Sequence, residues 1–148
     1  MEIVVIAGSK SDKSHVEKVE DILEKFHVEF KVHYCSAHRD PERLAKIIHD
    51  AETNGVQVFI AAAGMAAHLP GVVASKTLIP VIGLPLGGSA LGGVDALYSV
   101  VQMPKGIPVA TVGINVAQNA AYLALQILAL HDPDIASQLR ADRDAQKA

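Results

Sequence analysis

Short apolar runs alternate with amphipathic segments along this 148-residue chain, and that alternation restricts the possible folds more than any other feature. The run at residues 2–7 predicts a strand that is covered on both faces, as in a parallel sheet. Residues 16–26 then place apolar side chains at helical spacing, with charged side chains between them. The pattern continues, and it predicts strands at 29–34, 56–61, 80–84 and 109–112 and helices at 41–53, 72–77, 94–103, 115–130 and 134–143.

Regular alternation of strands and helices predicts an α/β fold: a three-layer, doubly wound parallel sheet of five strands, flavodoxin-like, with strand order 2-1-3-4-5 and an extra C-terminal helix. We expect residues 1–148 to form a single domain, since a chain of this length can bury an adequate core. In such sheets ligands bind at the carboxyl ends of the strands, near the switch in strand order. The loops after the first three strands should therefore surround one crevice.

Composition excludes several classes of function. The formal net charge is −3, with no basic stripe, so a nucleic-acid partner is not expected. Proline and glycine interrupt the apolar runs before they reach the ~20 residues of a membrane span. The chain has one cysteine and does not begin like a signal peptide, so we expect a cytoplasmic protein acting on a small molecule.

The helix predicted at 115–130 is apolar almost all round. A helix that is apolar on every side is normally buried on every side, and a five-stranded domain can cover only one side. We therefore expect its other side to pack against another subunit.

The loop at residues 35–41 carries the most promising chemistry. The imidazole of His38 can donate and accept a proton at neutral pH, and the adjacent Arg39 can bind phosphate at fixed charge. A surface histidine is the alternative for His38 alone. Cys35 is more typical of a buried thiol than of a nucleophile, whereas Asp40 and Pro41 are typical of a helix start.

The loop at residues 8–12 has the composition of an anion site at a helix start, with one glycine and two hydroxyls. It is neither a P-loop nor a dinucleotide fingerprint. A functional interpretation assigns Ser9 to a phosphate and Asp12 to a sugar hydroxyl. The alternative is a capped turn, with Asp12 or Ser11 as the N-cap.

The third loop, residues 61–67, has no charge and only small side chains apart from Met65. Its backbone can approach a planar ligand closely, although tight packing of a helix on the sheet is the alternative. His68 can be a structural cap or a site residue. A metal shared by His38 and His68 is not expected, because no third ligand stands at a recognisable spacing.

Five blocks of the sequence form one pattern when they are taken together, at residues 8–12, 36–39, 66–71, 94–97 and 102–111. In their order and spacing they resemble the PurE family, whose class I members are N5-carboxyaminoimidazole ribonucleotide mutases. Two residues depart from the glycine-rich form of the third loop, Ala62 and Met65, and they can narrow the pocket.

The resemblance implies that a carboxylate moves from the exocyclic nitrogen to C4 of an aminoimidazole ribonucleotide, without ATP, metal or organic cofactor. It implies that His38 is the catalytic acid and base, and that Ser9, Asp12 and Arg39 hold the ribose phosphate. The remaining substrate-binding residues that it implies are Ser36, Ala37, Gly64, Ala66, His68 and Leu69.

The resemblance also implies a homo-octamer with sites at subunit boundaries, where residues 102–106 complete a neighbour's site. Its functional partner would be the ATP-dependent carboxyaminoimidazole ribonucleotide synthetase. The nearest alternative is the class II enzyme of the same family, which carboxylates aminoimidazole ribonucleotide directly with CO2; Arg39 and the block 68–71 favour the mutase. A non-enzymatic flavodoxin-like module is disfavoured, because the ligand loops lack aromatic residues and no acidic pair follows the first strand.

Overall fold

A computed structural model describes residues 2–147, and its five strands form one fully parallel sheet. The strand order β2-β1-β3-β4-β5 confirms the predicted order. A single 3-10 turn at Lys10–Asp12 precedes the first α-helix. The strands are β1 Ile3–Ala7, β2 Phe30–Tyr34, β3 Val58–Gly64, β4 Val81–Leu86 and β5 Ala110–Thr111, and the helices are α1 Lys13–Lys25, α2 Pro41–Thr53, α3 Leu69–Ala74, α4 Val94–Val101, α5 Ala117–Leu128 and α6 Pro133–Ala145.

Strand β1 is buried along its whole length because both of its faces are covered. Successive side chains of a strand point to opposite faces, and here Ile3 and Val5 join one core while Val4 and Ile6 join the other. The first core is closed by α1, α5 and α6, and the second by α2, α3 and α4. The continuous apolar run at the start of the sequence thus marks the central strand of a three-layer fold.

Local capping sets the bounds of α2 as predicted. The carboxylate of Asp40 accepts a hydrogen bond of 3.2 Å from the backbone N–H of Arg43, and Pro41 is the first helical residue. At the other end Gly55 adopts a left-handed conformation with φ of 78°. Helix α2 therefore begins directly after the loop that carries His38.

Several bounds differ from the predictions. Strands β3 and β4 extend further, to Gly64 and Leu86, because their last residues pair with each other, and this pairing includes Pro85. Strand β5 is reduced to two residues at the sheet edge, where a short strand limits unpaired edge hydrogen bonding. Helix α3 begins at Leu69, since Pro70 suits a first helical turn.

Helix α5 is not apolar all round, which corrects the prediction. One face is buried against the sheet through alanine and leucine residues, and Leu123 and Ile127 pack beside it. The exposed face carries Gln118, Asn119 and Gln126. A single subunit therefore covers the apolar face of this helix, and the helix is no argument for a second subunit.

Gly83 in β4 lets helix α4 lie close to the sheet. A β-carbon at this position would lie 2.3 Å from Val100 Cγ1 and 2.8 Å from Val109 Cγ1. Any larger residue would push α4 away from β4 and displace the loop that precedes the helix.

Residues 2–147 contain no helix with the length and hydrophobicity needed to cross a membrane.

Candidate active site

Four loops at the carboxyl ends of β1, β2, β3 and β4 line one open cavity of about 600 Å³. This is the edge of the sheet at which a doubly wound fold binds ligands. The prediction named only the loops after the first three strands, and the structure adds the fourth. The cavity lining includes all ten predicted site residues: Ser9, Asp12, Ser36, Ala37, His38, Arg39, Gly64, Ala66, His68 and Leu69.

The loop after β1 is a capped turn whose polar atoms face the cavity. Ser9 is the N-cap of the 3-10 turn, and its backbone N–H donates to Asp12 Oδ2 at 3.0 Å. Ser9 Oγ accepts hydrogen bonds from the backbone N–H of Ser11 at 3.2 Å and from Ser11 Oγ at 2.9 Å. Because Ser9 Oγ already accepts twice, its own proton is left to donate, which suits an anion. The loop is therefore a capped turn, as one alternative predicted, and its polar atoms can still bind a ligand, as the other requires.

Asp12 is a half-buried carboxylate beside this turn. Burial raises the pKa of Asp12, against a lowering by the Ser9 N–H bond and by the neighbouring His15. One carboxylate oxygen is fixed by Ser9, so the other is available to accept from a hydroxyl of a ligand.

The loop after β2 is buried where it begins, at Cys35, and exposed further on, at His38 and Arg39. Cys35 is 3% exposed and does not line the cavity, and its thiol donates weakly to the carbonyl of Asp40 at 3.5 Å. Burial raises the pKa of the Cys35 thiol, with Arg43 lowering it and Asp40 raising it further. Both observations favour packing over nucleophilic chemistry for this residue.

Ser36 shapes the turn that presents Arg39. Ser36 Oγ accepts from the backbone N–H of Arg39 at 3.3 Å, and the Ser36 carbonyl accepts from Asp40 at 3.0 Å. The side chains of His38 and Arg39 remain exposed on the cavity side of this turn.

The imidazoles of His38 and His68 meet across the cavity, although 30 residues separate them in the sequence. His38 Nε2 is hydrogen-bonded to His68 Nδ1, and the rings meet edge to face with centroids 4.6 Å apart. His68 occupies the N-cap position of α3 but makes no capping hydrogen bond. Its side chain is therefore a cavity residue in contact with His38 and not a structural cap.

The uncharged wall is shorter than the predicted loop at 61–67. Ala61 and Ala62 lie inside β3, and Ala62 is 1% exposed in the core beneath α1 and α5. Ala62 therefore does not narrow the pocket, which corrects one expectation. Met65 does line the cavity, with φ of 52°, and Ala63 lines it from the end of β3.

Sequence reasoning missed the contribution of the loop after β4. Gly87, Gly88 and Ser89 line the cavity, and Asn115 Oδ1 holds this loop by accepting from the N–H of Gly87 at 2.8 Å. The available signal was a glycine-rich segment at the carboxyl end of a strand. Ser89 Oγ lies 3.2 and 3.3 Å from the two carboxylate oxygens of Asp95.

Within residues 2–147, no three histidine, cysteine, aspartate or glutamate side chains converge as a set of metal ligands.

Known proteins are similar to this chain along nearly its whole length. The family model for AIR carboxylase matches residues 2–148. The N5-carboxyaminoimidazole ribonucleotide mutase of Methanocaldococcus jannaschii is 54% identical over 98% of this chain and 90% of the relative. The enzyme of the same name from Escherichia coli K12 is 50% identical over 97% of this chain and 86% of the relative.

Among solved structures, Treponema denticola PurE superimposes with a TM-score of 0.88 at 31% identity, covering 98% of this chain and 92% of that one. The match extends along nearly the whole sequence, so it includes every loop of the cavity. The chain therefore belongs to the AIR carboxylase family, the PurE family that its motifs resemble.

Proposed function

We propose that this chain is an N5-carboxyaminoimidazole ribonucleotide mutase, an isomerase that moves a carboxylate from the exocyclic nitrogen to C4 of the base. The product is 4-carboxy-5-aminoimidazole ribonucleotide, an intermediate of de novo purine (IMP) synthesis. One observation carries the proposal: an imidazole, a guanidinium and an uncharged wall line one cavity in a chain whose relatives bear this name. Residues 1–148 act as one catalytic domain, which the single sheet supports.

The phosphate end of the substrate lies between the loops after β1 and β2. The Ser9 hydroxyl has a proton to donate, and Arg39 supplies a fixed positive charge in the same cavity. The free oxygen of Asp12 accepts from a ribose hydroxyl. The other oxygen of Asp12 is held by the Ser9 backbone N–H, and the fixed positive charge of Arg39 offsets the repulsion between this carboxylate and the phosphate.

His38 serves first as an acid and then as a base. It gives a proton to the exocyclic nitrogen of the carbamate, and the bond between that nitrogen and the carboxyl carbon breaks. The electron pair of this bond stays on nitrogen, and neutral CO2 is released. An electron pair at C4 then attacks the carbon of CO2. The proton displaced from C4 returns to His38, which restores the starting state.

Between these two steps the cavity must hold CO2 beside C4. The wall formed by Ser36, Ala37, Gly64, Ala66 and Leu69 carries no charge that would retain bulk water. Holding both fragments in place can supply roughly 7–11 kcal/mol. Proton transfer contributes roughly 10²–10⁴-fold, or about 3–5 kcal/mol, so positioning outweighs it.

His68 lines the substrate cavity and orients His38. A hydrogen bond between two ring nitrogens fixes the rotation of both rings and ties their tautomers together. His68 is therefore assigned two contributions, contact with the substrate and positioning of the catalytic imidazole.

The proposed assembly is a homo-octamer with active sites at subunit boundaries. Helix α4 supports it with an exposed apolar stripe of Val94, Tyr98 and Val101, preceded by exposed Leu91. This stripe continues from the loop after β4, so a second copy that covers it also lies beside the cavity. Residues 102–106 do not line their own cavity, which leaves them available to a neighbour's.

The carbamate substrate is labile, so an enzyme must supply it continuously. We assign this role to the ATP-dependent carboxyaminoimidazole ribonucleotide synthetase, working in the cytoplasm. The single buried thiol of Cys35 suits a reducing compartment.

One comparison tests the reaction. Purified protein is given either the carbamate substrate or aminoimidazole ribonucleotide with bicarbonate, and product absorbance is followed in the ultraviolet. The mutase converts the carbamate at low bicarbonate, and a His38→Asn preparation controls for contaminating enzyme. Conversion of the second mixture alone would overturn the proposal in favour of the direct carboxylase, the class II activity of this family.

A further inference from the structure

The loop after β4 contributes one side chain with hydrogen-bonding capacity to the cavity lining. Of the residues that line the cavity from this loop, Gly87 and Gly88 have no functional group and Ser89 has a hydroxyl. Ser89 is half-buried and belongs to the cavity lining.

Asp95 determines how Ser89 can interact with a ligand. Ser89 Oγ lies 3.2 Å from Asp95 Oδ1 and 3.3 Å from Asp95 Oδ2. An ionised carboxylate only accepts hydrogen bonds, so the single hydroxyl proton of Ser89 is directed to Asp95. Ser89 Oγ then has only lone pairs left to offer, so it can accept a hydrogen bond from a ligand in the cavity but cannot donate one.

The sheet order places Ser89 far from the phosphate-binding residues. The loop after β4 is two strand spacings from the loop after β1 and three from the loop after β2, roughly 10 and 14 Å at ~4.8 Å each. The His38 ring extends away from Arg39 to meet His68 in the loop after β3, one strand spacing from the loop of Ser89. A ribonucleotide with its phosphate near Ser9 and Arg39 thus extends its base towards the loop after β4. A hydrogen-bond acceptor at that end selects an N–H group.

We infer that Ser89, oriented by Asp95, accepts a hydrogen bond from the exocyclic nitrogen of the substrate's base. This inference rests on the proposed function. The exocyclic nitrogen carries at least one hydrogen in the carbamate, in the decarboxylated amine and in the product, so the contact persists throughout the reaction. The contact also discriminates against a carboxylate at the same place, because two acceptors repel each other.

The test measures the dissociation constants of three ligands by calorimetry. They are aminoimidazole ribonucleotide, the same ribonucleotide without its amino group, and ribose 5-phosphate. Ser89→Ala should weaken the first by about five- to tenfold, the loss of one ordinary hydrogen bond, and leave the other two within about twofold. Ser99→Ala is the matched control, since Ser99 lies outside the cavity lining and bonds its own helix.

The possible outcomes separate the inference from the proposed function. If wild-type protein does not bind aminoimidazole ribonucleotide, the proposed function fails and this inference fails with it. If wild-type protein binds it and Ser89→Ala binds it equally well, only the assignment of Ser89 is overturned. An equal loss for all three ligands would also overturn it, because a distorted loop would explain that result.

Asp95 is tested as a positioning residue. Asp95→Ala releases the Ser89 hydroxyl, so it should weaken binding of the amino ribonucleotide by less than Ser89→Ala does. The same change should have no effect when Ser89 is already alanine. A loss that persists in the double variant would show that Asp95 acts independently of Ser89 and would overturn its assignment.

Discussion

The imidazoles of His38 and His68 share one hydrogen bond, from Nε2 of the first to Nδ1 of the second or the reverse, with ring planes 82° apart. A neutral imidazole has one donor and one acceptor nitrogen. When His38 Nε2 donates to His68, His38 Nδ1 is left as an acceptor; when His68 Nδ1 donates, His38 carries its own proton on Nδ1. The hydrogen bond thus ties the tautomer of His38 to that of His68.

His38→Asn should abolish turnover and preserve binding. The asparagine keeps a polar side chain of similar size but cannot transfer the proton, so kcat should fall by at least ~10²–10⁴-fold. The dissociation constant for aminoimidazole ribonucleotide should change by no more than a few fold. His49→Asn is the control, because His49 is an exposed histidine of α2 outside the cavity. Near-normal kcat in His38→Asn would remove His38 from the mechanism.

His68→Ala should reduce kcat much less, by about five- to tenfold, which corresponds to one lost hydrogen bond. The positioning role predicts that this loss is absent when His38 is already asparagine. Steady-state kinetics of the two single variants and the double variant measures the coupling. A double variant with a kcat tenfold below that of His38→Asn would overturn the positioning role and leave only the contact of His68 with the substrate.

Much of the fold could be predicted because a doubly wound sheet imposes separate hydrophobic periods on strands and helices. The helix start at Asp40 and Pro41 and the stop at Gly55 depend on local chemistry and were predicted for that reason. The error at α5 arose because runs of alanine and leucine dominate its composition. The side chains of Gln118, Asn119 and Gln126 form a solvent-exposed polar face of the helix, and a count of apolar residues does not reveal this face.

The cavity lining was predicted for the loops after β1, β2 and β3, and it was missed for the loop after β4. Ser89 has no charge, and its orientation depends on Asp95 in the next helix. Asn115 holds Gly87 from 28 residues away, a contact that no local pattern encodes. The His38–His68 hydrogen bond is also a product of the tertiary fold.

Met65→Gly should stabilise the protein. Met65 is 66% exposed and has φ of 52°, a left-handed conformation that costs a non-glycine residue about 1–2 kcal/mol. Glycine removes that strain but adds about 0.5–1 kcal/mol of unfolded-state entropy, so the free energy of unfolding should rise by up to about 1.5 kcal/mol. Urea denaturation measures it. Met65→Ala is the control, because it removes the side chain and keeps the strain; an equal gain in both variants would refute the conformational explanation.

Cys35→Ala should leave kcat within about twofold of wild type, because the thiol is buried and does not line the cavity. Burial raises the pKa of Cys35, so little thiolate is present near pH 7. The loss of one sulfur atom from the core should lower the free energy of unfolding by about 1 kcal/mol. Kinetics and denaturation are measured on the same preparation, and a loss of activity without a loss of stability would restore the nucleophile interpretation.

Asp142→Asn should destabilise the protein near neutral pH and have little effect in acid. The Asp142 carboxylate joins three helices: it is bonded to Lys25 of α1, accepts from Tyr122 Oη of α5 at 2.8 Å and accepts from Gln146 at 2.9 Å. These bonds, that from Lys25 above all, hold the pKa of Asp142 below its ordinary value of 3.8.

A carboxyl whose pKa is lower in the folded state stabilises that state above its unfolded pKa, and the contribution is lost as pH falls through the folded value. The Asp142 side chain is only 10% exposed, but that of Lys25 is 54% exposed and is screened by solvent. The free energy of unfolding should therefore fall by only about 1 kcal/mol at pH 7 in Asp142→Asn. The difference from wild type should shrink progressively as the pH is lowered below 3.8. Asp144→Asn is the matched control on the same helix, since Asp144 pairs with Lys147 in a bridge whose side chains are both at least 70% exposed. A destabilisation by Asp142→Asn that is constant from pH 7 to pH 2 would show that the carboxylate charge does not contribute to holding α1, α5 and α6 together.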